Sequence, residues 1–258
     1  MTKTPPPDPP PPLDEGRTRQ QTRTALLDAA EELFCEHGID AASLRAITSA
    51  AGANLAAVNY HFGNKEGLVQ AVFDRRIGPV NQERLRRLTD LEQAAAPGPP
   101  SAEGVLRAFL EPVVRFGQDS SAEQMRFRRL MGRTFAEPGS QMRQRLKGHF
   151  QKLGERFLGA LSRCFPHLPP NVLLWRFHFM LGSMVQVALH GSLIAEHSQG
   201  ICDPTKGEEV SRRLVEFLLA GFAAPVGSDA GAASAPAEAE DADGSMPGPS
   251  IFAWEEGF

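Results

Sequence analysis

Between residues 171 and 197 the chain places Val, Leu, Trp, Phe and Met around the whole circumference of a helix, and this stretch restricts its possible folds more than any other. A helix with no polar side has to be covered all the way round. Residues 177–195 have the length to cross a bilayer, but His178, Gln186 and His190 interrupt them, Arg176 precedes them and no group of Lys or Arg flanks them. The segment therefore reads as a buried helix of a soluble helical bundle. A membrane-associated helical adaptor is the alternative, and it leaves the pattern at residues 43–65 without a role.

The remaining elements also read as helices. In residues 18–37, Leu26, Ala30, Leu33 and Phe34 recur at helical spacing, and Gly38 is placed to stop that helix. Ser43 and Asn54 stand where they can cap two short helices joined by Ala51-Gly52-Ala53, with Leu44 and Ile47 inward on the first, Leu55 and Val58 inward on the second. Asn64 can cap a fourth helix from Lys65, with Leu68, Val72, Phe73 and Ile77 on its apolar side, which Gly78-Pro79 should kink or end. Residues 80–93 are helical and highly charged, and Ala96-Pro97-Gly98-Pro99-Pro100 is the strongest internal linker signal. Beyond it come a helix opened by Ser101 and carrying Pro112, another started by a Ser121/Gln124 capping box, and a third over residues 140–165. The apolar helix follows. The last is an amphipathic helix over residues 208–222, with Val210, Leu214, Phe217 and Leu218 inward. No alternating, strand-like run competes, so the expected fold class is all-α.

Composition limits both the folding length and the function. The 258 residues are 41% hydrophobic, enough for one large or two small domains, but the 24 Gly and 21 Pro gather at the two ends and in the 96–100 stretch. We expect a disordered Pro-rich tail at 1–16, domains at 17–78 and 79–224, and a second disordered tail at 225–258, in which Ile251-Phe252-Ala253-Trp254 could dock a partner. A net charge of -4 argues against coating nucleic acid by bulk charge and leaves room for a local basic face. Cys35, Cys164 and Cys202 are scattered, and no His or Cys has metal-finger spacing, so neither a disulfide framework nor a metal site is expected. No nucleophile–base pair, paired carboxylates or phosphate loop stands at a recognisable spacing; the expectation is no enzyme, no catalytic residues and no cofactor. The start of the chain lacks a basic-then-apolar signal, which points to a reducing, cytoplasmic setting.

Residues 43–68 carry the functional pattern. Two helices of about two turns joined by a Gly turn let the second enter a major groove while the first crosses the backbone. With Leu55 and Val58 inward, Ala53, Ala56, Ala57, Asn59, Tyr60 and His61 face outward, and Lys65 opens the next helix, where its ammonium and the free amides form a phosphate clamp. Asn54 and Asn64 read as caps, Phe62 as core, and Tyr60 as half core, half phosphate donor. The stretch over residues 24–75 resembles the DNA-binding domain of the TetR family of transcriptional regulators. The resemblance rests on Ala29-Ala30-Glu31-Glu32-Leu33-Phe34 running to Gly38, on Ser43, on Ala51-Gly52, and on Tyr60-His61-Phe62 followed by Lys65. It implies an N-terminal three-helix helix-turn-helix DNA-binding domain and a larger C-terminal helical ligand-binding and dimerisation domain. By it, Tyr60, His61 and Lys65 hold operator phosphates and Arg45, Thr48 and Asn59 approach bases or backbone. Ala56 and Ala57 stand where members often carry a hydroxyl or Gly, which shifts readout toward Asn59, methyl contacts and DNA shape.

The last two helices resemble the pair that packs as a four-helix bundle in a family homodimer. Residues 126–135, 166–169 and 175–182 are similar to the branch that senses fatty acids or acyl-CoA. The implied partners are a double-stranded, pseudo-palindromic DNA operator and a small apolar effector that releases the repressor, with no membrane. Met131, Phe135, Phe150, Trp175, Phe179, Met180 and Met184 are the candidate lining of an effector cavity. Each fits an ordinary Met and Phe core equally well. Arg126, Arg128, Arg129, Arg133, Arg143, Arg145 and Lys147 are either a patch for an anionic head group or a solvated face.

Overall fold

Short side chains at helix starts decide where this chain turns. The Thr18 hydroxyl accepts from the Gln21 amide at 3.3 Å while the Gln21 side chain accepts from the Thr18 amide at 2.7 Å. Ser43 accepts from the Ala46 amide at 3.1 Å, Asn54 from Ala57 at 2.9 Å, Asn64 from Gly67 at 2.8 Å, Ser101 from Gly104 at 3.1 Å and Ser121 from Gln124 at 3.2 Å. Each such cap contributes about 1 kcal/mol by satisfying an amide that the helix leaves open.

A computed structural model describes residues 18–119, 121–136 and 141–227, with the side chains of 133–149 set aside. The expected tail at 1–16 and nearly all of that at 225–258, with its 251–254 segment, lie outside the described residues. The described residues form α1 (Arg19–His37), α2 (Leu44–Ala50), α3 (Leu55–Phe62), α4 (Lys65–Ala95), α5 (Ala102–Gln118), α6 (Ala122–Ala136), α7 (Gln141–Cys164), α8 (Pro170–His190), α9 (Ser192–His197) and α10 (Gly207–Ala223), with no strand among them.

The chain divides into two units, Met1–Pro79 with Ser120–Arg145, and Val80–Asp119 with Leu146–Phe258. In the first, α1 packs against α2, α3 and α6, and Leu26, Phe34, Ile47, Val58, Phe73 and Phe127 are buried. Phe73 and Phe127 meet edge to face, centroids 5.5 Å apart. In the second, α5 packs on α8 and α10. Phe109 touches Phe157 at 4.8 Å and Phe177 at 5.9 Å, and Phe165 stacks on Phe222. Arg176 donates to the Phe222 and Ala224 carbonyls at 2.6 and 2.8 Å, tying α8 to the open carbonyls at the end of α10.

Four expectations need correction. Helix α4 does not end at Pro79 but continues past it, 31 residues in all over Lys65–Ala95. Its second half carries the ion pairs of Arg86 and Arg87 with Glu83 and of Arg87 with Glu111 of α5. The 171–197 helix breaks at Gly191 into α8 and α9. Helix α8 is long and apolar enough to cross a membrane by length and composition, with a mean hydropathy of 1.4, but its own chain covers one side only. Leu173, Phe177, Met180 and Ala188 are buried, whereas Trp175 and Phe179, roughly half a turn round, are each 60% exposed and stacked on one another. On α10, Phe217 faces out although it was expected inward, because it sits roughly 100° round from the buried Leu218.

Candidate nucleic-acid interface

Helix α3 presents one buried residue, Val58, and an open face made by the i, i+4 pairs Leu55/Asn59 and Ala56/Tyr60. Leu55, expected inward, is 51% exposed. It is the first residue of the helix, so there is no preceding turn for its side chain to lie over. Tyr60 is 67% exposed, its ring 5.0 Å from that of His61, and His61 lies in turn 5.9 Å from Phe62. Asn59 and Arg45 are exposed, while His61, Lys65 and Phe62 are half-buried. Thr48 is placed differently: it is buried, and its hydroxyl donates to the Arg45 carbonyl at 3.1 Å, so it braces α2 and does not face outward.

The angle between α3 and α4 depends on two glycines. Gly63 has φ +77°, a conformation that a side chain disfavours. At Gly67 the α3 carbonyl of Phe62 comes so close that an added Cβ would sit 2.0 Å from its oxygen. The Lys65 ammonium donates to the Asp40 carbonyl at 3.1 Å, which leaves two of its three N–H bonds for an incoming oxyanion.

Two cations here were missed by the sequence reading. The guanidinium of Arg19 lies over the Tyr60 ring at 5.8 Å and that of Arg23 over the Phe62 ring at 5.3 Å, so the start of α1 adds positive charge beside the end of α3. The signal was legible, since the first turn of α1 has no acidic residue and carries Arg where the helix dipole favours an anion.

Beneath this surface a buried carboxylate fixes the helices. Glu31 of α1, its side chain 5% exposed, receives Arg75 and Arg76 of α4, the latter at 2.7 Å. Arg75 also reaches Asp28 at 2.5 Å, and Arg76 reaches Glu123 of α6 at 3.1 Å. Burial works against the charge on Arg76, but the bonds to Glu31 and Glu123 outweigh it and its pKa is raised. Burial, with the charge of Glu31 added, pushes the Cys35 thiol up to about 11.

The candidate effector residues are divided between the two units. Met180 is buried in the core of the second unit, and the half-buried Met184 packs against it. Trp175 and Phe179 occupy the opposite, exposed side of α8. Met131 is buried on α6, which packs on α1, and Phe150 is half-buried on α7. Phe135 lies outside the described side chains, as do Arg133, Arg143, Arg145 and Lys147. Arg126 and Arg128 are half-buried and Arg129 is exposed. The sequence reading passed over Arg84, the one buried cation of the second unit's core among the described residues. No three His, Cys, Asp or Glu side chains come together as a metal site among the described residues.

Comparison with known proteins agrees with this arrangement. The model for bacterial regulatory proteins of the tetR family matches residues 26–72, and that for the tetracyclin repressor-like C-terminal domain matches residues 107–221. The transcriptional repressor ComR of Escherichia coli is 45% identical over 62 residues, 24% of this chain and 30% of its own length. The regulator AcrR of Shigella flexneri is 32% identical over 112 residues, 43% of this chain and 47% of its own. The chain thus spans about a third to a half of the length of these relatives. Among solved structures, the regulator FadR from Bacillus subtilis in complex with stearoyl-CoA superposes with a TM-score of 0.55 at 15% identity, covering 77% of this chain and 98% of its own. That likeness establishes the fold alone.

Proposed function

Because the chain belongs to the tetR family of bacterial regulatory proteins, we propose that it is a homodimeric transcriptional repressor, cytoplasmic and ligand-responsive, that binds a pseudo-palindromic operator. The supporting observation is the free face of α3, where Leu55, Ala56, Asn59 and Tyr60 stand exposed between the cations of Arg19, Arg23, Arg45 and Lys65. Tyr60, His61, Lys65 and the two α1 arginines suit phosphates. Asn59 suits a base edge, and Leu55 with Ala56 suits a thymine methyl. Arg45 approaches the backbone from α2, and Thr48 supports it from beneath.

Dimerisation accounts for α8. Trp175 and Phe179 on that helix and Phe217 on α10 are large apolar side chains exposed to water, which a second copy would cover in a four-helix arrangement. Residues 17–78 then read DNA and 79–224 bind the effector, with α4, which runs from Lys65 into the second unit, as the element through which the effector acts. An effector that binds better when the two α3 helices are misplaced for successive major grooves lowers operator affinity by that difference. The second unit's aromatic and Met core, together with the stearoyl-CoA bound by the Bacillus subtilis relative in fold, makes a fatty acid or acyl-CoA the effector class to try first.

The test is a gel shift on the chain's own upstream region across a salt series, with sedimentation on the same samples. Lys65→Ala should lower affinity and flatten the slope of log K against log salt by about one per half-site, leaving the dimer intact. An unchanged slope removes Lys65 from the contact set. Failure of the wild type to bind DNA, with flotation on lipid vesicles instead, would replace this reading with the membrane adaptor.

A further inference from the structure

Arg84 of α4 is 2% exposed. Its Nε donates to the Phe109 carbonyl at 2.7 Å, Nη1 to Asn81 Oδ1 at 3.2 Å and Nη2 to the thioether of Met184 at 2.8 Å, and its guanidinium carbon stands 4.0 Å from the centre of the Phe109 ring. None of these partners carries a charge. The carboxylates nearest in sequence are engaged elsewhere, Glu83 on Arg86 and Arg87, and Glu111 on Arg87 and Arg107. Of the five N–H bonds of a guanidinium, one on each nitrogen is taken, and the thioether is a weak acceptor. Burial pushes the Arg84 pKa down to about 9, so the group is still a cation at neutral pH.

A buried cation facing a carbonyl, an amide and a sulfur is costly to keep, and an apolar side chain would fill the same volume without that cost. The surroundings are apolar: Leu88, Phe109, Phe177 and Met180 belong to the same buried cluster. Met184 packs against this group and accepts from Arg84. It is half-buried and unbranched, so it can swing aside at low cost.

We infer that Arg84 anchors the carboxylate of an amphipathic effector, a free long-chain acid, with its two spare N–H bonds and the one now given to Met184, while the apolar body lies along Phe109, Phe177 and Met180. This rests on reading the second unit as effector-binding, and it narrows that reading: a thioester of the same chain has no carboxylate to offer. Asn81, one turn before Arg84, holds Nη1 in place for the ligand.

Calorimetric titration of the full chain without DNA tests it, using decanoate, decanol and decanoyl-CoA as probes. Decanoate should bind about ten- to a hundred-fold more tightly than decanol, the range for a charge-assisted hydrogen bond, and more tightly than decanoyl-CoA. Arg84→Met should fold, with a melting temperature equal to or above wild type, and lose that preference. Equal binding of decanoate and decanol by the wild type, or no binding of decanoate, overturns the assignment, and the wild-type comparison stands even if the variant does not fold. A gel shift on the same preparation separates this from the repressor reading: decanoate bound without any DNA binding sinks the repressor alone, and DNA bound without decanoate binding sinks the Arg84 site alone.

Discussion

Replacing Glu31 by Gln removes one charge from a site where two arginines converge. The Glu31 side chain is 5% exposed, while those of Arg75 and Arg76 are 26% and 21% exposed. Stranding a buried ion costs about 3–5 kcal/mol. Here both arginines can turn partly to water and keep Asp28 and Glu123, and Gln retains an acceptor oxygen, so the cost falls below that range, to about 2–3 kcal/mol. For a chain of this size that is a fall in Tm of roughly 4–12 °C. Asp28→Asn serves as the control: its side chain is 64% exposed, so its pair with Arg75 is worth at most about 1 kcal/mol. Melts followed by circular dichroism at pH 7, repeated in 0.5 M salt, separate the two, because salt screens the exposed pair far more than the buried one. A Tm for Glu31→Gln within 2 °C of wild type, or a loss no larger than that for Asp28→Asn, would refute the reasoning.

Gly67→Ala should destabilise by about 2–4 kcal/mol, because the new Cβ meets a backbone oxygen at 2.0 Å that cannot swing aside; urea unfolding with an unchanged midpoint would show that the α3–α4 corner adapts freely. Cys202, exposed, should react with Ellman's reagent at pH 8 well before Cys35 and Cys164, whose thiols burial pushes upward, Cys35 to about 11. Equal rates for all three in the folded protein would contradict the packing around α1 and α7.

What the sequence revealed and what it withheld divides by the range of the interaction. Caps act over three residues, so Ser43, Asn54, Asn64 and Ser101 could be read from the chain, and with them the two short helices and the position of α3. The outward placement of Asn59 and Tyr60 followed from helical period once Val58 was placed inward. Leu55 and Phe217 broke the rule that apolar residues turn inward, because a short helix and a face left open have no element to cover them. Trp175 and Phe179 suited a cavity by type, but their phase on α8 sets them opposite Met180. Contacts across long stretches of chain were out of reach: Glu31 meets Arg76 over 45 residues, and Arg84 meets Met184 over 100.

Those last two contacts, taken together, give α4 a physical asymmetry. At Arg76 the helix carries a cation whose charge is answered by Glu31 and Glu123, so its pKa rises and the group acts as a fastener among α1, α4 and α6. Further along the same helix, Arg84 carries a charge with no carboxylate to answer it, and its pKa falls. A structural role explains the first cation fully and the second only in part, since a carbonyl, an amide and a thioether satisfy hydrogen bonds without neutralising charge. An anion supplied from outside would complete the second site as Glu31 completes the first. Because both arginines sit on one continuous helix, the proposed anion would bind the element that also carries Lys65, and a ligand that binds more tightly to one placement of α4 than another would shift DNA affinity by that difference.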